Sequence, residues 1–267
     1  MARLQDKVCI VTGATSGIGK RTAEIFAAEG AKLVIAGRRE AEGRAVAQSI
    51  GARCEFVRTD VTQEAQMKAL IDFTMARHGR IDCLFNNAGG PAPVGGIEGI
   101  PVEGFDAAIA VLLRSVMLGM KHVAPIMMRQ RAGSIINNGS IAGVRAGYSS
   151  SMIYSAAKAG VIHLSQCVAM QLGEHNVRVN TISPGGIATG IFGKAPGFRS
   201  RRQSRPPRRS RRRSRACSRF RAPGSPTTSR TPRSFLQATS RPSSTRTTSS
   251  STAASSAAGC GRRSSRR

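Results

Sequence analysis

Apolar runs of five or six residues alternate with longer stretches in which apolar positions recur every three or four residues, and the alternation persists from Lys7 to Ile182. The short runs predict strands over Lys7–Thr12, Lys32–Ala36, Glu55–Thr59, Ile81–Phe85, Ser134–Asn138 and Val177–Ile182. Between them the longer period predicts a helix running through Ala28 and stopped by Gly30, then helices over Glu40–Ile50 and Gln63–His78. Two helical stretches follow within Val102–Gln130, and a last one carries Tyr154 and runs to about Gly173. Such regular alternation implies an α/β fold: a doubly wound, mostly parallel sheet of the Rossmann type, with helices on both faces. No internal repeat is present.

Two stretches add chemistry to this frame. The first strand is followed at once by Thr12-Gly13-Ala14-Thr15-Ser16-Gly17-Ile18-Gly19. Glycines there let a pyrophosphate approach the backbone at a helix N-terminus, where free N–H groups and the dipole favour an anion. A glycine-rich turn is a weak signal alone and a fair one between a strand and a helix. In the second stretch, Tyr154 and Lys158 lie four residues apart, one turn from each other on one helix face. Tyrosine titrates near pH ~10, so a fixed ammonium beside it favours the phenolate and makes it a usable acid or base near neutrality. By itself, that spacing is equally well met by a solvated helix face.

Charge divides the chain. The formal net charge is +27, and twenty arginines with no Lys, Asp or Glu follow Phe198, leaving +7 for everything before it. Residues 1–198 therefore read as one folded domain. Residues 199–267, mostly Arg, Ser, Thr, Pro and Ala, read as a low-complexity basic tail expected to be disordered for want of large apolar residues. The six cysteines show no metal spacing and no signal peptide precedes them, so a reduced, cytoplasmic protein without a metal is expected. His78, His122, His163 and His175 form no ligand cluster. No continuous apolar run reaches the ~18 residues that span a bilayer, and no membrane partner is expected.

Taken together, the motifs resemble those of a known family. Thr12-Gly13-x-x-x-Gly17-Ile18-Gly19, Asn86-Asn87-Ala88-Gly89, Ser140, Tyr154-x-x-x-Lys158, and Pro184-Gly185 with Thr189 are similar, in order and position, to motifs of the short-chain dehydrogenase/reductases over about residues 4–195. The resemblance implies an oxidoreductase that passes a hydride between NAD(P)(H) and a secondary alcohol or ketone. It implies that Tyr154 exchanges the proton at the substrate oxygen, that Lys158 lowers its pKa and holds the nicotinamide ribose, and that Ser140 bonds the same oxygen. It further implies cofactor contacts from Gly13, Ser16, Gly17, Ile18 and Gly19 on the pyrophosphate side, and from Asp60 and Val61 at the adenine. Asn87, Ala88 and Gly89 belong to the ribose region, and Pro184, Gly185, Ile187 and Thr189 lie toward the carboxamide. Taken one motif at a time, Ser140 is also a buried strand-end serine, and Asn86, Asn87, Pro184 and Gly185 are turn formers. A homo-oligomer, dimer or tetramer, is the family's usual state.

Three features set this chain apart from the family pattern. Where NAD-preferring members carry an acid after the second strand, this chain has Gly37-Arg38-Arg39, which favours NADP(H) through a 2′-phosphate and leaves NAD(H) open. The opposing reading is that both arginines simply begin a solvated helix. Leu112 stands where the family carries an asparagine, so the polar relay to Lys158 is missing a group, and a catalytically impaired chain is the alternative. The third feature is the tail, which also admits a nucleic-acid-binding reading through unpaired arginines, although no specific nucleic acid is expected.

The tail also admits a test from the genetic code. Reading each codon as the last base of one and the first two of the next turns Ser (TCN) into Phe, Leu, Ile or Val, Thr (ACN) into Tyr, His, Asn or Asp, and Ala (GCN) into a set with Gly. Thr247-Thr248-Ser249-Ser250-Ser251-Thr252-Ala253-Ala254 then permits His-Asp-Leu-Val-Val-Asp-Gly-Gly, which resembles the family's last strand and its Asp-Gly-Gly ending. The tail is thus expected to be the family's C-terminal region in a shifted frame, with the seventh strand and substrate lid missing. Sequencing the gene tests this: a one-base change near codon 198 should open a frame ending in that strand, and its absence sinks the idea.

Overall fold

The structure, a computed structural model, describes residues 2–187. Among them, β1 (Val8–Thr12), β2 (Lys32–Gly37), β3 (Cys54–Arg58), β4 (Cys83–Asn86), β5 (Gly133–Asn138) and β6 (Val177–Ile182) form one parallel sheet in the order β3-β2-β1-β4-β5-β6. The chain winds from β1 outward to β3, then returns to the centre and winds outward the other way. The order therefore reverses between β1 and β4, and the crevice of a doubly wound sheet opens at the C-terminal ends of those two strands.

Helices α1 (Gly17–Ala28), α2 (Glu40–Ile50), α3 (Glu64–His78), α4 (Val102–Ile109), α5 (Ser115–Gln130), α6 (Ile141–Val144) and α7 (Met152–Gly173) complete the described fold. All five residues of β1 are buried because both faces of the sheet are covered. On one face Cys9, Val11, Leu33 and Ile35 pack with Ala23 of α1 and Val46 of α2. On the other, Ile10, Val34 and Ala36 pack with Leu70 of α3, Val123 of α5 and Val161 of α7. Period-two alternation along each strand thus feeds two cores at once.

The predicted elements are all present, with differences that have local causes. β4 starts at Cys83 rather than Ile81 because the side chain of Gln130 takes both backbone groups of Ile81, accepting its N–H at 3.0 Å and donating to its carbonyl at 2.8 Å. The two predicted stretches in Val102–Gln130 are joined by a π turn over Ala110–Arg114 into one helix, and short turns at Ile97–Gly99 and α6 carry too few residues to show a period.

That joining also revises the membrane reading. As one element, Val102–Gln130 is long enough to cross a bilayer and apolar enough by composition, an 18-residue stretch of it having a mean hydropathy of 1.5. Its buried Val116, Leu118, Met120, Val123 and Met127 belong to the core beneath the sheet, which accounts for its apolar character. The expected tail, the seventh strand and the lid lie outside the described residues.

Candidate active site

The crevice is built from close packing between two turns. The Thr12 hydroxyl accepts the amide hydrogens of Asn87 and Ala88 at 3.0 and 3.1 Å and donates to the Phe85 carbonyl at 3.3 Å. Asn87 answers by donating its Nδ2 to the Thr12 and Gly13 carbonyls at 2.9 and 3.3 Å. Gly13 has φ +67°, and a Cβ on it would stand 2.7 Å from the Ala88 Cα. A Cβ on Gly19 would stand 2.4 Å from Asn87 Nδ2. Only glycine fits either place. Above this joint α1 begins with no side-chain cap from Ser16 and no acid in its first turn, so its amides and positive dipole end are available to an anion.

At the other end, Ser140 and Tyr154 are set by two caps. Ser140 starts α6, its Oγ accepting the Ala142 amide hydrogen at 3.2 Å. α6 lies so tightly on α7 that a Cβ on Gly143 would come within 2.6 Å of the Lys158 backbone carbon. Ser151 starts α7: its Oγ accepts the Tyr154 amide hydrogen at 3.1 Å and donates to the Pro93 carbonyl at 2.6 Å, tying the helix to the loop after β4. Lys158 is 3% exposed, its Nζ 5.8 Å from the centre of the Tyr154 ring, and it donates to the Asn138 carbonyl at 2.6 Å. Among the described residues no carboxylate pairs with the ammonium, and burial lowers its pKa from the usual lysine value to about 8.

Both ends open into one cleft of about 490 Å³. Of the residues expected from sequence, Gly13, Ser16, Gly17, Ile18, Arg38, Asp60, Val61, Asn87, Ala88, Gly89, Ser140, Tyr154, Lys158, Pro184, Gly185 and Ile187 line it. Gly19 does not: it is buried, and its part is to let α1 approach Asn87. Thr189 lies outside the described residues. Asp60 lies below the ordinary carboxylate range. Burial pushes it up, but the amide and hydroxyl of Thr62, donating at 3.0 and 2.8 Å, and the Arg38 charge outweigh that.

Several lining residues carry no signal of their own in the sequence. Thr15 is one, since its role is to accept a hydrogen bond from Arg39 at 2.8 Å, as Ser16 does at the same distance. Arg39 therefore braces the glycine turn and is not a solvated helix residue. Arg38 is exposed and makes no hydrogen bond or ion pair among the described residues. Asn138 also lines the cleft, two residues before Ser140 at the strand end, a position that could have drawn attention to it. Leu112, in the π turn, is fully buried against Ala108, Ile153 and Ala157, and lines the cleft with an apolar side chain where the family pattern has a polar group.

Comparison with known proteins places these features in context. Residues 7–197 match a family profile described as short chain dehydrogenase. The chain is 39% identical over 193 residues to tropinone reductase-like 2 of Erythroxylum coca, covering 71% of this chain and 70% of that one. It is likewise 39% identical over 196 residues to (+)-borneol dehydrogenase 1 of Salvia officinalis, covering 71% and 73%. Among solved structures, levodione reductase superposes with a TM-score of 0.69 at 36% identity, over 71% of this chain and 75% of the other.

The buried ammonium makes a stability prediction. Its folded pKa, about 8, lies below the free value of 10.5, so the folded state binds fewer protons than the unfolded chain between those limits. This group's contribution to stability should therefore rise with pH from about 8 to 10.5, and its full penalty applies below. Lys158→Met should raise stability at pH 7 by on the order of 2–3 kcal/mol while abolishing turnover. A Tm equal to or lower than the parent's by calorimetry would argue against an uncompensated charge.

Proposed function

This chain belongs to the short-chain dehydrogenase/reductase family, and we propose that it interconverts a secondary alcohol and its ketone with NADP(H), Tyr154 exchanging the proton at the substrate oxygen. The observation that carries the reading is a buried ammonium without a counter-ion among the described residues, one helical turn from Tyr154 and in the same cleft as Ser140. In ketone reduction, Tyr154 Oη gives its proton to the forming alkoxide. Lys158 Nζ stabilises the phenolate left behind, through a low-dielectric medium in which its charge counts for more than in water. Ser140 Oγ already accepts the Ala142 amide hydrogen, which frees its own proton to donate to the same substrate oxygen. When bound, the nicotinamide supplies the hydride, or accepts it in the reverse direction.

The family binds NAD(P)(H), and the residues present fit such a dinucleotide. Gly13 lets the turn close onto Ala88 and Asn87, and the uncapped start of α1 favours an anion, so Gly13, Ser16, Gly17 and Ile18 would hold the pyrophosphate. Asp60 and Val61 would meet the adenine, Asn87, Ala88 and Gly89 the ribose region, and Pro184, Gly185 and Ile187 the carboxamide. The preference for NADP(H) is supported by the division of labour between the two arginines: Arg39 is spent on Thr15 and Ser16, while Arg38 is unpaired among the described residues and suits a phosphate. A carboxylate at position 37 would crowd this turn, since a Cβ on Gly37 would stand 2.7 Å from Thr15 Cγ2.

The substrate reading is an uncharged alcohol or ketone. Pro91, Val111 and Leu112 line the cleft, and the flanking segments 89–97 and 146–157 contain no charged residue and expose Val94 and Tyr148. A charged substrate would meet no partner there. Relatives named as reductases and dehydrogenases support the same class of reaction.

Two variants test the reading. Tyr154→Phe should lower kcat by about 100-fold or more with NADPH binding within about twofold of the parent, because only the exchanged proton is lost. Retained turnover would rule out Tyr154. Arg38→Ala should weaken NADPH about tenfold in a fluorescence titration and leave NADH unchanged, as loss of one charge-assisted hydrogen bond predicts. Equal weakening of both would assign Arg38 a merely structural part.

A further inference from the structure

We propose that Asn138 is a positioning residue for this reaction, its backbone carbonyl fixing the Lys158 ammonium and its side chain fixing that carbonyl to the glycine-rich turn. The proposal rests on the dehydrogenase reading given above and adds a residue to it.

A continuous chain of hydrogen bonds carries the inference. Lys158 Nζ donates to the Asn138 carbonyl at 2.6 Å, the one hydrogen bond it makes among the described residues. Asn138 Nδ2 donates to Asn87 Oδ1 at 3.0 Å. Asn87 Nδ2 donates in turn to the Thr12 and Gly13 carbonyls, and its backbone amide is held by the Thr12 hydroxyl. The reacting end of the cleft is thereby tied to the turn expected to hold the pyrophosphate. The direction of each amide is forced: Asn87 Nδ2 must face two carbonyls, so its Oδ1 accepts, and Asn138 must present its Nδ2.

Two further observations set Asn138 apart from a residue of packing alone. Its Oδ1 is buried with no hydrogen-bond partner, so this amide is retained although half of its capacity is unmet. An apolar side chain of like size would remove this orphan and would take from Asn87 Oδ1 the donor it has in Asn138. In addition, Leu112, which lines the same cleft, is apolar and fully buried. Burial lowers the Lys158 pKa, Lys158 makes no ion pair among the described residues, and its Nζ lies 5.8 Å from the centre of the Tyr154 ring on its own helix. The Asn138 carbonyl is thus what aims the Nζ, and β5 can hold that carbonyl in place only as firmly as its end is anchored.

The test uses the full chain with NADPH and a ketone that the parent reduces. Asn138→Leu keeps the carbonyl and removes the anchor. It should weaken NADPH roughly fivefold, as for one net hydrogen bond, and lower kcat/KM roughly ten- to a hundredfold, with Tm unchanged or raised. Asn138→Asp sets a carboxylate near the ammonium, and the pH at which kcat/KM for reduction falls on its alkaline side should move up by about one unit. If Asn138→Leu retains NADPH affinity and kcat/KM within about twofold, or loses activity only in proportion to a lower Tm, and if Asn138→Asp keeps the parent pH profile, Asn138 is structural and the proposal fails. A parent that binds no NADPH overturns the dehydrogenase reading itself, and this proposal with it.

Discussion

A buried ammonium with no counter-ion among the described residues is the constraint on which the site depends. Lys158 loses the solvation that lysines ordinarily keep, and burial has driven its pKa down to about 8. A cation in that state is paired by nearly anything polar within reach, and what reaches it here is one backbone carbonyl, that of Asn138. The surrounding structure is arranged to keep it so. α6 presses on α7 at the lysine through Gly143, Leu112 packs against Ile153 and Ala157 of α7, and the cap at Ser151 fixes where α7 begins. A charge so placed acts on a neighbouring phenol far more strongly than it would at the surface.

Packing of small residues does the corresponding work at the phosphate end. Gly13 and Gly19 bring the β1–α1 turn against Asn87 and Ala88 until no Cβ fits between them. Close approach makes the mutual hydrogen bonds of Thr12 and Asn87 satisfiable, and those bonds hold the ends of β1 and β4 at the point where the sheet order reverses. Binding and chemistry therefore share one polar joint. Asn87 is its centre, its side-chain Nδ2 donating to the turn and its Oδ1 accepting from Asn138.

The arginines after β2 show how a charge pattern acquires meaning only from contacts. Arg38 and Arg39 are chemically equal in the sequence and both line the cleft, yet Arg39 bonds Thr15 and Ser16 and pairs with Glu42, while Arg38 makes no hydrogen bond or ion pair among the described residues. One shapes the turn and the other is left to meet a ligand. The same distinction divides the asparagines at the end of β5. Asn137 points into the core, bonding Asn86 and Ser165, whereas Asn138 points to the cleft side, as the two-residue period of a strand requires.

Sequence alone determined the order and kind of the elements, because strand and helix periods are local properties of where apolar residues fall. It also determined the parallel sheet and the positions of Gly13, Ser140, Tyr154 and Lys158, since each motif sits at a strand end or helix start. Gly19 was legible as a required glycine but not as a packing residue, because what forbids its side chain is Asn87, far away in the chain. The π turn that turns two helical stretches into one was hidden for a related reason: a single inserted residue shifts the register without breaking the apolar pattern. Tertiary structure decided which arginine is unpaired among the described residues, that Leu112 packs against α7, and that Asn138 holds the ammonium. None of these follows from spacing, because each is a contact between residues at least 20 apart or the absence of one, and only the folded chain fixes which distant groups meet.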